Sequence, residues 1–220
     1  MPKARVVSSI YLSQFNGSNH TNMESLMIQR MKWLWLAFGI FAVIQGCSLR
    51  PEDIRVDPTI DLPRSLVGSA RTIGVAVSDA REAKKLGEVG DPNREMYAIS
   101  VNEDPSPVIY SRVSKALAKL GYKVVPYTEG MQLSLKIDVA TLKLDSDKRA
   151  FDFLTTLHTE VVAHARNGNE SLNEKYTVSQ SMNTAGPAYT TDTARLVNAA
   201  VSMALQGMLA DQQLLDTLNK

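Results

Sequence analysis

The chain has 220 residues, with 24 lysines and arginines set against 23 aspartates and glutamates, three histidines and one cysteine. The near-neutral balance excludes the concentrated basic face that nucleic-acid binding requires, and a lone cysteine excludes an internal disulfide or a thiolate metal cluster. Three histidines, one of them in a polar N-terminal tail, argue against a histidine metal site, no cofactor motif is present, and the length suits one globular domain with appendages.

Residues 1–26 open poorly for a signal, since serine, asparagine and other polar residues dominate from Ser8 to Asn22. Met27 and Met31 offer better starts, so 1–26 is expected to be a non-native or removed extension. From Trp33 to Ile44 every position is apolar or small, behind Arg30 and Lys32. As a helix this run reaches only roughly 18 Å, against a hydrocarbon core of about 30 Å. Basic residues, a short apolar core and a small exit residue make 27–46 a secretory signal peptide. Ile44-Gln45-Gly46-Cys47 resembles the bacterial lipobox, in which the thiol receives diacylglycerol and the chain is cut before the cysteine. The competing reading is an ordinary buried thiol at a helix end. Two or three acyl chains, at about 0.8 kcal/mol per buried methylene, anchor firmly. Ser48 is not the aspartate linked to inner-membrane retention in Gram-negative lipoproteins, so the implied address is the periplasmic leaflet of the outer membrane.

Residues 47–71 are expected as the lipidated cysteine and an extended tether, in which Ser48 to Arg64, with Pro51, Pro58 and Pro63, reaches up to roughly 50 Å, although alternating Ile54 and Val56 suit a docked edge strand. The domain proper is expected over 72–220. Ile73, Val75 and Val77 alternate as a strand ending at Ser78-Asp79. Residues 80–92, with Gly87 and Gly90, read as a loop, and Met96 to Val101 as a second strand. Pro105 and Pro107 introduce a helix with Ile109, Val113, Ala116, Leu117 and Leu120 on one face and Gly121 as its stop; a strand follows over Tyr122 to Tyr127. Leu133, Leu135, Ile137 and Val139 form a half-buried strand whose phase slips near Ala140-Thr141, the mark of a bulge. Phe151 to Arg166 and Leu172 to Met182 flank Asn167-Gly168, a hairpin signal. In the second arm Leu172, Tyr176, Val178 and Met182 share a face that Glu174 and Gln180 interrupt. Thr191 or Asp192 caps a closing helix with an Ala194, Val197, Val201, Ala204, Leu205 and Met208 stripe. The expected fold is α+β: a mostly antiparallel sheet with two helices packed on one face.

These segments, taken in order, resemble the YajG family of small envelope lipoproteins. The likeness rests on Cys47, IRVDPTIDLP (Ile54–Pro63), IGVAVSDAR (Ile73–Arg81), LGYKVV (Leu120–Val125), LSLKIDVATLKL, the Asn167-Gly168-Asn169 turn and the closing helix. It spans essentially all of the mature region. The family's biochemical role is unassigned, so the resemblance carries over one residue role, Cys47 as the acylation site. Some relatives are encoded beside a muropeptide permease, which implies a cell-wall context.

Candidate chemistry is sparse. Asp79 and Arg81, two apart where a strand runs out, point to one side and make either a small polar site or a local ion pair. His158 and Glu160 are strand neighbours, while His164 lies roughly 13 Å beyond Glu160, so a solvated sheet face is expected there and no metal site. Asp145 and Asp147 lack the rest of a calcium loop; Gly87 and Gly90 lack a phosphate-binding helix. The expected function is a lipid-anchored binding or accessory module of the envelope, not an enzyme. Its expected partners are the membrane, through acyl chains on Cys47, and an envelope protein complex or peptidoglycan. The alternatives are a small cell-wall hydrolase using Asp79 and a second acidic residue, or a purely structural surface lipoprotein.

Overall fold

A computed structural model of the chain describes residues 52–188 and 190–220. The extension 1–26, the signal segment 27–46 and Cys47 lie outside the described residues. The elements are β1 (Glu52–Asp53), β2 (Thr72–Asp79), β3 (Lys85–Gly90), β4 (Met96–Ser100), α1 (Ser106–Lys119), β5 (Lys123–Pro126), β6 (Leu133–Lys148), β7 (Phe153–Asn167), β8 (Glu170–Thr184), α2 (Thr190–Ala210) and α3 (Gln212–Asn219). Among the described residues no helix is long and apolar enough to cross a membrane.

The sheet is organised around β6, whose 16 residues at about 3.3 Å each let two shorter strands share one of its edges. Its first half, Ser134 to Val139, lies parallel to β2, and further along Leu144 meets Gly87 of β3. Between them the phase slip in the sequence is a real bulge, at Val139 to Thr141. Strand order runs β1-β4-β3-β6-β2-β5, with β7 and β8 on the other side of β6.

Four of the seven strand pairings are parallel: β1–β4, β2–β5, β2–β6 and β3–β6. Only β3–β4, β6–β7 and β7–β8 are antiparallel. The sheet is therefore mixed, which corrects the expectation of a mostly antiparallel one. Alternation reports which side chains point inward and is blind to strand direction. The parallel trio β5-β2-β6 arises because α1 carries the chain back to the start of β2's neighbour, and residues 127–132 then cross over β2.

The helices also differ from a two-helix layer on one face. Three are present among the described residues; α1 packs on β2 and β5, whereas α2 and α3 pack on β7 and β8. Residues 54–62 lie between the two groups. Ile54 and Val56 are buried in the core, and Ile60 and Leu62 pack against it. Asn198 and Ser202 of α2 accept from the Asp57 and Thr59 amides, at 2.6 and 2.9 Å, and Arg112 of α1 grips Asp57 at 2.6 Å. Among the described residues the compact fold thus takes in the chain from Glu52, where β1 joins β4, ahead of the boundary expected near Thr72.

Residues 80–92, expected as a loop, contain β3. Its glycine is there for contact, not for a ligand. A Cβ at Gly87 would press on the Leu144 carbonyl oxygen, so only glycine lets β3 reach β6. In the β7–β8 hairpin the closing pair is Asn167 with Glu170, one residue later than the sequence signal, leaving Gly168-Asn169 as the loop. Gly168 alone carries a positive φ, +62°, the arrangement of a type II′ turn with glycine first. The inward residues Phe153, Thr155, Leu157, Thr159, Val161, Ala163 and Ala165 of β7 are all buried. Against them α2 sets Leu196, Val197, Ala200, Val201, Ala204, Leu205, Met208 and Leu209. Asp211 then caps α3 by accepting from the Gln213 and Leu214 amides.

Candidate functional site

Asp79 closes β2, opposite Val139 of β6. Arg81 folds back on it. Nε donates to Oδ1 at 2.6 Å and Nη2 to Oδ2 at 2.7 Å, and Nη2 also donates to the Val101 carbonyl at 3.2 Å. The fork is nearly out of water, with the Arg81 side chain 3% exposed and Asp79 18%. Hydrogen bonding to Arg81 holds the Asp79 carboxyl below its usual range, outweighing burial, which pushes the other way; the remaining charges acting on it are Arg81 and Lys84, both cationic. Arg81 Nη1 is buried without a partner among the described residues.

This geometry decides what the pair can do. A carboxylate held by a guanidinium on both oxygens and kept below its usual pKa stays ionised at neutral pH, so it is a poor general acid and a weak base. What it does do is fasten the end of β2 to the end of β4. Beside it runs an open groove of about 500 Å³ between residues 80–86 and 140–143.

His158 and His164, the two histidines among the described residues, lie on the outer sheet face, each beside its own carboxylate. His164 Nε2 sits 3.0 Å from Asp138 Oδ2, with Asn173 Oδ1 2.8 Å from its Nδ1, and Ser78 donates to Asp138. His158 bonds Ser179 at 2.8 Å and lies 3.6 Å from Asp145; Glu160 pairs with Lys175 at 3.0 Å. Among the described residues no three histidine, cysteine or acidic side chains converge on a metal position.

A family model described as uncharacterized lipoprotein matches residues 58–219. The chain belongs to that family. No curated protein sequence matches it. Among solved structures, a Helicobacter pylori protein described as a homolog of the neuraminyllactose-binding hemagglutinin is 8% identical, with a TM-score of 0.46 over 76% of this chain and 96% of that one. A Xanthomonas campestris protein is 16% identical, with a TM-score of 0.38 over 76% and 94%. A Neisseria meningitidis lipoprotein is 14% identical, with a TM-score of 0.29 over 61% and 96%.

The matched region of this YajG-family lipoprotein takes in β2 to β8 and, among the described residues, all three helices, but leaves out β1 and Cys47. Within it, one groove was invisible in the sequence: about 700 Å³ lined by Asp91, Arg94, Glu95, Tyr97, Lys148, Phe153 and Pro187. Three distant stretches of chain build it. Lys148 donates to Asp91 at 2.6 Å and Tyr97 to Glu95 at 2.8 Å, and Phe151, 94% exposed, stands nearby in the turn between β6 and β7.

Proposed function

We propose that this lipoprotein is acylated on Cys47, sits in the periplasmic leaflet of the outer membrane and works by binding, as an accessory to an envelope protein complex. The observation that carries the reading is the closure of Asp79 on Arg81. The residue picked out for hydrolytic chemistry is spent on an internal bond, while the open, mixed aromatic and charged surface lies elsewhere, at Arg94, Tyr97 and the protruding Phe151. Such a surface suits contact with a protein partner, for which aromatic anchors supply most of the energy.

The docked segment sharpens the picture. Glu52 is five residues from Cys47, so the acylated cysteine is at most about 18 Å from the first strand. The roughly 50 Å reach of a free tether shrinks to a short leash, and the partner is expected close to the membrane face.

Two measurements test this. Radiolabelled palmitate is expected in the native polypeptide and in the outer-membrane fraction, and Cys47→Ala is expected to abolish the label and release the domain into the periplasm. A photo-crosslinking residue at Phe151 is expected to capture one envelope protein in intact cells. Absence of label refutes the anchor; absence of any adduct at Phe151 and Tyr97 refutes the binding surface.

A further inference from the structure

Among the described residues β8 is an open edge of the sheet, pairing with β7 alone, and its 15 residues run without a register break. Long edges are commonly guarded by prolines, bulges or charges; β8 has no proline and no bulge, and its three charged residues are Glu170 beside the turn, Glu174 and Lys175. Which residues face outward along the edge follows from the turn. Asn167 and Glu170 close a two-residue loop, so they exchange both backbone bonds. Even-numbered residues of β8 therefore bond to β7, and odd-numbered ones, 171 to 183, direct their N–H and C=O groups to the open side.

The side chains of β8 read the same from both ends. On the half-buried, helix-facing side the order is Leu172, Glu174, Tyr176, Val178, Gln180, Met182: apolar, polar, apolar, apolar, polar, apolar. On the exposed side it is Ser171, Asn173, Lys175, Thr177, Ser179, Ser181, Asn183. Both patterns are centred on Thr177. The glutamate and glutamine that break the apolar stripe when one strand is read alone thus fall at symmetric positions.

We propose that the β8 edge is closed by the β8 edge of a second copy of the chain, antiparallel, with the two-fold axis at Thr177. An isologous contact needs a self-complementary patch, and this register supplies one. Leu172 meets Met182, Glu174 meets Gln180, Tyr176 meets Val178, and Lys175 meets Ser179. Thr177 meets itself, with its outward N–H and C=O groups in position to bond their symmetry mates. Seven such pairs give about fourteen backbone hydrogen bonds.

Neighbouring registers are worse. Moving the axis to residue 175 sets Lys175 against Lys175, and moving it to 179 sets Val178 against Gln180. Axes on even residues face the wrong backbone groups. A parallel pairing in register stacks Glu174 on Glu174 and Lys175 on Lys175, like charges directly opposed. The dimer would extend the sheet continuously through β6-β7-β8 of both copies and cover the half-exposed Leu172, Tyr176, Val178 and Met182.

The test uses the full chain in detergent. Sedimentation equilibrium is expected to give twice the protomer mass. Thr177→Cys is expected to form a disulfide-linked dimer on mild oxidation, mapped to that residue, while the parent with Cys47 alone does not. A mixture of Asn173→Cys and Ser181→Cys chains is expected to cross-link and Asn173→Cys alone is not. Thr177→Pro, whose lost N–H faces away from β7, is expected to weaken association at least tenfold with an unchanged circular dichroism spectrum. A protomer mass for the parent, an absent Thr177→Cys cross-link, cross-linking by Asn173→Cys alone, or a dimer indifferent to a folded Thr177→Pro each overturns the proposal. Should Thr177→Pro not fold, the two cross-linking results decide.

Discussion

The Asp79–Arg81 fork gives the sharpest prediction, because its two members are unequally buried. Replacing Asp79 by Asn removes the charge that both Arg81 nitrogens bond to and leaves a guanidinium 3% exposed, with the Val101 carbonyl as its remaining full-strength acceptor. Nη2 loses its carboxylate acceptor, since an amide NH2 cannot accept, and Nε keeps only a neutral carbonyl; a charge-assisted bond contributes about 1.5–3 kcal/mol, and a buried cation is left unpaired, for which losses of about 3–5 kcal/mol are typical. Replacing Arg81 by Met strands the less buried partner. Asp79 is 18% exposed and keeps Lys84 nearby, so hydration relieves it and the cost is expected at about 1–2 kcal/mol. Asp79→Leu with Arg81→Met removes both charges and is expected within about 1 kcal/mol of the parent.

Urea unfolding at pH 7 of these variants together with Asp79→Leu, which with Arg81→Met and the double variant closes a double-mutant cycle, measures the coupling. The pH dependence adds an independent check. Arg81 holds the Asp79 carboxyl below its ordinary value of 3.8. The pair's contribution is therefore fully present above pH 3.8 and is lost as the pH falls below it toward the folded value. The Asp79→Asn variant is expected to lose this part of the acid dependence. An Asp79→Asn protein as stable as the parent, or an Arg81→Met protein less stable than Asp79→Asn, refutes the argument that the fork is a structural clasp.

Other consequences are local. Gly87→Ala forces a Cβ onto the Leu144 carbonyl and is expected to cost about 1–3 kcal/mol, with hydrogen exchange rising first in β3 and β4; equal protection refutes the close-approach reading. Tyr176 donates to Asp211 at 2.8 Å, and Asp211 also caps α3, so Asp211→Ala is expected to lose about 1 kcal/mol for the cap and about 1 kcal/mol more for the stranded hydroxyl, seen as a lower thermal midpoint. Burial, then the bond to Asp211 and the nearby acidic charges, push the Tyr176 hydroxyl above its ordinary value of 10.0. Unfolded chains give up that proton first, so stability is present below pH 10 and falls as the pH rises past it; Tyr176→Phe is expected to show a shallower alkaline decline.

Much of the architecture was legible because burial leaves a period in the sequence. The alternation Leu133, Leu135, Ile137, Val139 gave β6, and its slip at Ala140-Thr141 gave the bulge. The spacing of Ile109, Val113, Ala116 and Leu117 gave α1. What failed depended on partners. Strand direction leaves no local mark, so the parallel β5-β2-β6 trio was missed. β3 was hidden because it is short, carries two glycines and is defined by its approach to Leu144. The candidate pair was found by parity, yet parity does not tell an open site from a closed one; that depended on Arg81 reaching Val101, 20 residues away. The groove around Tyr97 needed three segments brought together and had no signature.

The docking of residues 54–62 has a consequence for how far the domain travels from its anchor. Ile54 and Val56 are 2% and 3% exposed, and burying each contributes about 1.5–3 kcal/mol. Peeling them out to lengthen the leash costs about 3–6 kcal/mol before any loss from Asp57 and Arg112 is counted, so roughly one molecule in 10² to 10⁴ is extended at any moment. The leash is short because the core holds it. Ile54→Asp with Val56→Asp is expected to reverse that balance, since each buried carboxylate would cost more than the docking returns. Limited proteolysis reads the change directly: cleavage between residues 52 and 64 is expected to rise by at least tenfold while the rest of the domain stays protected. A variant cut no faster there than the parent would show that the segment is held by its backbone bonds to Asn198 and Ser202, and that its two apolar side chains do not set the reach.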